Sequence, residues 1–364
     1  MSRRPAGALA GMAMTLLLLA VPGGAAAERP SPGAALEVPQ PAVPMRDVVL
    51  GEPGAAAARI SASASSQRYS IGDGSEATIA VDVTAACAES CEVTDPQRVA
   101  SFIGTLFHGD EVDLLTVQLD TEFQLGFDCG FGAEACYFTG DNKIVIGGYE
   151  EADGDGATFD FVLAHEYGHH VATHREMPAP FGGAVDWGTE RWASLENVCQ
   201  GKRKGRLYPA DEGSHYFENP GEAFAEAFAH LRFPELSVQW RYLSGLKPDA
   251  AAYQAIREDT LTPWQGRTSF VLAGRVPARG EGAAVETLST PLDGTVSLRP
   301  SRLHRHGYEL ALRSRAGRLL RSSRHGSGPQ RQLDYTVCGQ HRLRLEITST
   351  RAHAGPFRLR VQRP

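Results

Sequence analysis

The 364-residue chain has no internal repeat, and no apolar run reaches the about 20 residues that a membrane-crossing helix requires. These absences exclude repeat architectures and polytopic membrane proteins. Aromatic residues are 8% and charged residues 22% of the chain against 42% hydrophobic, so it is neither collagen-like nor disordered throughout, and a substantial core can form. At roughly 100–200 residues per domain, the length predicts two domains. Lysine is missing from residues 265–364, which hold 18 Arg and six acids (Glu281, Glu286, Asp293, Glu309, Asp334 and Glu346), a balance of +12. The whole chain carries -7, so residues 1–264 carry -19. A solvated arginine face is the plainer reading of the basic part, with contact to an anionic cell surface or polysaccharide as the alternative. Phe270, Tyr308, Tyr335 and Phe357 are too few stacking residues for specific nucleic-acid binding.

Residues 1–27 read as a secretory signal peptide. Arg3 and Arg4 precede the apolar stretch Ala8–Val21, Pro22, Gly23 and Gly24 end it short of an anchor, and Ala25, Ala26 and Ala27 offer a cleavage site. The mature chain is expected to be secreted or periplasmic, with no transmembrane segment after cleavage. An oxidising compartment then predicts disulfides among Cys87, Cys91, Cys129, Cys136, Cys199 and Cys338. Cys129 with Cys136 would close a short loop, whereas Cys87-x-x-x-Cys91 lacks the second cysteine pair of a zinc knuckle.

Residues 28–75 read as a Pro/Ala-rich linker or pro-segment, with no fold expected over 28–60. Residues 76–262 read as one α+β domain, with strands over 78–83, 114–119 and 143–146 and helices from Asp95, over 161–175 and after Pro220. Beyond Trp264, short apolar stretches alternate with Gly and Ser turns, which predicts an all-β sandwich over 266–364.

His165-Glu166-Tyr167-Gly168-His169 is an H-E-x-x-H pattern inside the second of these helices. Residues four apart differ by about 40° around a helix, so His165 and His169 aim both imidazoles at one point. Glu166, about 100° from His165, reaches a water there without being a ligand, the position of a general base. Phe161, Val162, Ala164 and Val171 predict a core helix, where His and Glu need partners, and a metal supplies one. A catalytic zinc site normally takes three protein ligands. His170 and His174 lie about 140° and 180° from His165, which leaves them as surface or supporting groups. Arg175 stands where a metzincin would carry its third histidine.

Asn219-Pro220-Gly221-Glu222 opens a helix through an Asn cap and Pro at its first position. Glu222 and Glu226 are one turn apart among Ala and Phe, costly for carboxylates without compensation. Zinc would compensate Glu222, and Glu226 could accept a hydrogen bond from a ligand imidazole. A capping box with Asn219 is the other reading of Glu222, a solvent-facing acid that of Glu226. Glu190 is the second candidate for the third ligand. Glu150–Gly156 reads as a solvated acidic loop, with calcium as the alternative.

The H-E-x-x-H helix followed by Glu222-Ala-Phe-Ala-Glu226-Ala-Phe resembles gluzincin-type zinc metallopeptidases, most of all the lethal-factor-like group. The resemblance implies a zincin-like domain and one Zn2+ held by His165, His169 and Glu222. It further implies Glu166 as the base in hydrolysis of a protein or peptide substrate by a zinc-activated water. A tyrosine shortly before the third ligand assists the transition state in that group, which points to Tyr216, with His215 beside it. A strand next to the site often holds the substrate in such enzymes, and chain order suggests Lys143–Ile146. Residues 266–364 resemble the pre-peptidase C-terminal β-sandwich domains of secreted bacterial peptidases. The readings that compete with a secreted endopeptidase are a zinc hydrolase of a non-peptide amide or ester, a degenerate extracellular binding protein, and a self-inhibited precursor.

Overall fold

The computed structural model describes residues 48–50, 67–150, 157–234, 239–300, 308–323, 332–339 and 341–364. The expected signal peptide, and all of the acidic loop except Glu150, lie outside the described residues.

Six strands form a mixed sheet. They are β1 (Val48–Leu50), β2 (Gln67–Ser70), β3 (Thr78–Val83), β4 (Thr116–Asp120), β5 (Ala135–Phe138) and β6 (Lys143–Gly147), in the order β1-β5-β6-β4-β3-β2. β3, β4 and β6 run parallel, β5 is antiparallel to β6, and β1 is parallel to β5. Helices α1 (Ala85–Ser90), α2 (Pro96–Ile103), α3 (Glu122–Asp128) and α4 (Phe159–Thr173) are interleaved with the strands, and α5 (Ala184–Trp187), α6 (Glu190–Leu195), α7 (Val198–Arg203), α8 (Pro220–Arg232) and α9 (Ala250–Leu261) follow. Tyr137, Ile144 and Ile146 turn one sheet face to the main core with α4, while Cys136, Phe138 and Val145 pack with Leu125 and Cys129 of α3 and its end. Burial on both faces explains the unbroken apolar run of β6.

Two expectations are corrected here. Lys143–Ile146 is a strand, but β4 and β5 flank it, so its backbone is already paired and cannot hold a substrate. An apolar run shows that a strand exists and says nothing of its place in the sheet. The segment 28–75 read as a linker contains β1 and β2, because Val48-Val49-Leu50 finds a partner in β5 and Gln67–Ser70 one in β3.

α4 is capped by Thr158, whose side chain accepts from Phe161 N, and is buried on all sides from Phe161 to Ala172. Such a helix shows no polar stripe. α8 starts as expected, with Pro220 at its first turn and Asn219 accepting from Gly221 N at 3.0 Å. α4 and α8 pack at Gly168, where a Cβ would lie 2.9 Å from Ala225 Cα, a contact no real Cβ tolerates. Glycine within the H-E-x-x-H motif is therefore what lets the two helices touch.

The C-terminal part consists of two antiparallel four-stranded sheets, sandwich-like as expected. The strands β7 (Thr268–Val276), β8 (Ala283–Ser289), β9 (Gly294–Pro300), β10 (Tyr308–Ser314), β11 (Leu319–Ser322), β12 (Leu333–Val337), β13 (Arg342–Ser349) and β14 (Gly355–Arg363) pair as β11-β10-β13-β8 and β12-β9-β14-β7. Leu298, Leu312, Leu345, Ile347 and Leu359 lie in their shared core. This part docks through backbone and loop contacts. Asp293 N donates to Ser194 Oγ at 2.9 Å, and Thr295 N donates to Ala179 O at 2.9 Å.

Three disulfides join Cys87–Cys91, Cys129–Cys136 and Cys199–Cys338. The last spans 139 residues and ties α7 to the end of β12. Closing so long a loop removes much unfolded-chain entropy, so replacing both Cys199 and Cys338 by Ser is expected to cost about 2–5 kcal/mol in a denaturant titration. An unchanged midpoint would assign the docking to the contacts alone.

Candidate metal centre

α4 presents His165 and His169 on one face with their Nε2 atoms 3.2 Å apart. α8 brings Glu222 against both, Oε2 lying 3.4 Å from His165 Nε2 and Oε1 3.3 Å from His169 Nε2. All three side chains are buried, and one ligand atom from each lies within 4.8 Å of the others. Glu226, one turn along α8, places Oε2 at 3.2 Å from His165 Nδ1 and Oε1 at 3.6 Å from His230 Nε2. With Glu226 ionised, Nδ1 of His165 carries the proton and donates, which leaves the Nε2 lone pair aimed at Glu222 and His169.

The charges agree with this tautomer. Burial opposes ionisation of Glu222 and Glu226, yet the neighbouring imidazoles hold both carboxyls below the usual range. Burial outweighs the same carboxylate at His169 and lowers its imidazole, favouring the neutral, ligand-competent form. Two imidazoles and a carboxylate converging in the core are a donor set for a divalent transition metal, and three protein ligands leave a position open. The contacts of 3.2–3.4 Å are longer than charge-assisted hydrogen bonds of about 2.8 Å, as expected of lone pairs that need a cation between them. The residues fit the group. The other such group among the described residues, Cys199, Asp293 and Cys338, has both sulfurs in a disulfide and offers no thiolate.

Glu166 is fully buried. It shares a face of α4 with His170, one turn on, and that face meets β5. Tyr137 Oη lies 3.0 Å from His170 Nδ1, and burial, with the charge of Glu166, raises the tyrosine hydroxyl. His170 Nε2 lies 2.9 Å from the carbonyl of Glu111 and must donate to it, so Nδ1 accepts from Tyr137. Burial pushes His170 down to about 4. His170, expected at the surface or in support of the site, is a core histidine with both nitrogens in use.

Tyr216 Oη donates to Glu222 Oε2 at 3.0 Å and lies 3.1 Å from Tyr242 Oη. His215 turns elsewhere, its Nδ1 2.8 Å from Asp211 Oδ2 and its ring stacked on Tyr208 at 3.7 Å. Tyr242 and Glu212 are neighbours that sequence reasoning missed. Glu212 accepts from Asn219 Nδ2 at 2.9 Å, and burial together with the charge of Glu222 pushes its carboxyl up to about 9. A protonated Glu212 can donate to Glu222. An open cleft is lined by Lys202, Leu207, Tyr208, Asp211 and Glu212, and none of His165, Glu166, His169, Tyr216 or Glu222 is in its wall.

Glu190 belongs to a different cluster. Its Oε1 accepts from Trp264 N at 2.7 Å and lies 3.1 Å from Arg191 Nη1, with Asp259 alongside. Burial, then the charge of Asp259, pushes its carboxyl up to about 8 from the ordinary 4.5. The folded protein then keeps a proton that the unfolded chain releases, so stability falls as pH rises from 4.5 towards 8. Glu190→Gln keeps the acceptor for Trp264 and is expected to exceed wild type by about 1 kcal/mol or more at pH 8, the gap closing near pH 4.5 in denaturant titrations. A gap independent of pH would show that Glu190 does not titrate in this range.

Helices on a mixed sheet, with two histidines and one glutamate converging in the core, define a candidate metal centre. No family model matches the chain, and no curated protein matches it.

Proposed function

We propose that the protein is an exported zinc-dependent endopeptidase with a zincin-like domain, in which His165, His169 and Glu222 hold the metal. The observation that carries this reading is the meeting of the H-E-x-x-H histidines with Glu222 in a buried cluster. When bound, zinc would lower the pKa of a water and polarise the substrate carbonyl. Glu166 would serve as the carboxylate that accepts a proton from the attacking water and gives it up to the nitrogen of the departing amine. Glu226 fixes the tautomer of His165 through Nδ1. Tyr216, at 3.0 Å from Glu222, offers its hydroxyl to the oxyanion that develops as the carbonyl is attacked. Three disulfides favour an oxidising compartment, and no helix among the described residues is long and apolar enough to cross a membrane. The +12 balance of residues 265–364 supports contact with an anionic surface or polysaccharide only as the alternative to a solvated arginine face.

The test is digestion of a diverse peptide library by the purified protein, read by mass spectrometry, with Glu166→Gln as control. Cleavage absent from the control supports the reading. No cleavage by zinc-loaded protein would redirect it to a non-peptide amide or ester.

A further inference from the structure

The +12 balance of residues 265–364 does not by itself separate a solvated arginine face from a binding face; the placement of the arginines on the sheet β12-β9-β14-β7 does. Phe357, Leu359 and Val361 of β14 are buried in the sandwich core, so the alternate residues Arg358 and Arg360 point outward and are exposed. Arg360 stands directly opposite Arg299 of β9 on one side and Val271 of β7 on the other. Arg275 of β7 stands opposite Pro356, two residues along from Arg358. Arg275, Arg358, Arg360 and Arg299, all exposed, therefore form one diagonal row over three strands. At spacings of about 5 Å between strands and about 7 Å for two residues along a strand, the row is about 20 Å long.

Like charges directly opposite one another destabilise a sheet unless something compensates them. The other sheet has its compensation: Glu346 lies 2.6 Å from Arg313 Nε through Oε2 and 3.2 Å from Arg344 Nη2 through Oε1. The row has none. Of the six acids in this part, Glu286, Glu309 and Glu346 belong to the other sheet. Asp293 accepts from Gly339 N, Glu281 from Ala278 N and Asp334 from Gln332 Nε2. Among the described residues the row's side-chain hydrogen bond is to a neutral group, Arg360 Nε donating to Ser269 Oγ at 3.0 Å.

We propose that the row of Arg275, Arg358, Arg360 and Arg299 is a binding surface for an extended polysaccharide bearing carboxylate groups. A guanidinium receives a carboxylate through two parallel hydrogen bonds, and a row one side chain wide suits a linear chain that offers such groups at intervals. The flanking residues on the same face, Val271, Ala273, Pro356 and Gln362, carry no charge, so the positive potential follows a line rather than covering an area. None of the outward positions on the four strands is aromatic. That removes the stacking on which nucleic-acid strands are held and the aromatic anchors that proteins set into a membrane interface. The inference goes beyond the peptidase reading and does not rest on it, because the metal centre lies in the other domain.

The test is binding of the full chain to polygalacturonate by calorimetry at about 0.15 M salt, where attraction by net charge alone is largely screened. Arg358→Gln/Arg360→Gln is compared with Arg315→Gln/Arg342→Gln, which removes the same charge at two exposed arginines, one just after β10 and one opening β13 in the other sheet. The row pair is expected to weaken binding about tenfold, the control pair to stay within about threefold of wild type, and the thermal melts to agree. Arg275→Gln/Arg299→Gln, on the neighbouring strands, is expected to weaken binding as the row pair does and carries the test should the first pair disturb the fold. Equal weakening by row and control pairs would leave a solvated face that attracts by charge alone, and would overturn the proposal. So would no binding of polygalacturonate, or tighter binding to single-stranded DNA or to vesicles of phosphatidylglycerol and phosphatidylcholine in equal parts. No peptide is cleaved in these measurements, so their outcome is independent of the peptidase reading.

Discussion

Glu166→Gln is expected to leave bound zinc unchanged while peptide hydrolysis slows by about 10²–10⁴-fold, the usual worth of a positioned general base. Glutamine fills the same volume and keeps an oxygen and an NH2 group, so the packing of α4 against β5 and α8 survives. Glu166 lies one residue from His165 but outside the cluster in which His165, His169 and Glu222 meet, so the ligands keep their places. What glutamine lacks is a carboxylate that accepts a proton and gives it up again. Metal analysis beside steady-state rates separates the two roles. An unchanged rate would remove Glu166 from the chemistry, and lost metal would make it a ligand.

Glu222→Ala should have the other large effect, loss of metal and activity together. Its carboxylate contacts both imidazoles, so its removal leaves two ligands and a void in the core. Zinc affinity is expected to fall by more than about 100-fold, beyond the 10–100-fold typical of residues that only support a ligand. Tyr216 would lose its acceptor, so a thermal melt of the metal-free proteins should accompany the affinity measurement. Full zinc retention would move the third ligand elsewhere. Glu190 is a poor substitute, because its carboxyl is engaged with Trp264 N and Arg191.

The helices of the site were legible because their signals are local. The four-residue spacing of His165 and His169 fixes one face of a helix whatever surrounds it, and Asn219-Pro220 marks the start that sets the phase of Glu222 and Glu226. Tyr216 was legible by its nearness to that start, although the same reasoning could not separate it from His215. Tyr242 and Glu212 join the site through tertiary packing and stand in no period or cap that advertises it. Strand order was hidden for a similar reason. Ile144-Val145-Ile146 announces a buried strand, but only the partners on each side decide whether its backbone is available. β1 was missed because three apolar residues among prolines and alanines are too short a run to read until β5 offers a template. In the C-terminal part, short apolar stretches between Gly and Ser turns marked an all-β region without placing every strand, while the pairing of Cys199 with Cys338 depends on how the sandwich docks.

The Cys199–Cys338 bond also makes the chain a closed ring between α7 and β12. A single nick in an exposed loop of the sandwich, such as one beyond Trp264, would leave both fragments in one covalent particle. The protein would travel as an intact species on a gel without reductant and fall into two bands only when thiols are added. Such a ring permits damage to the backbone without loss of the domain.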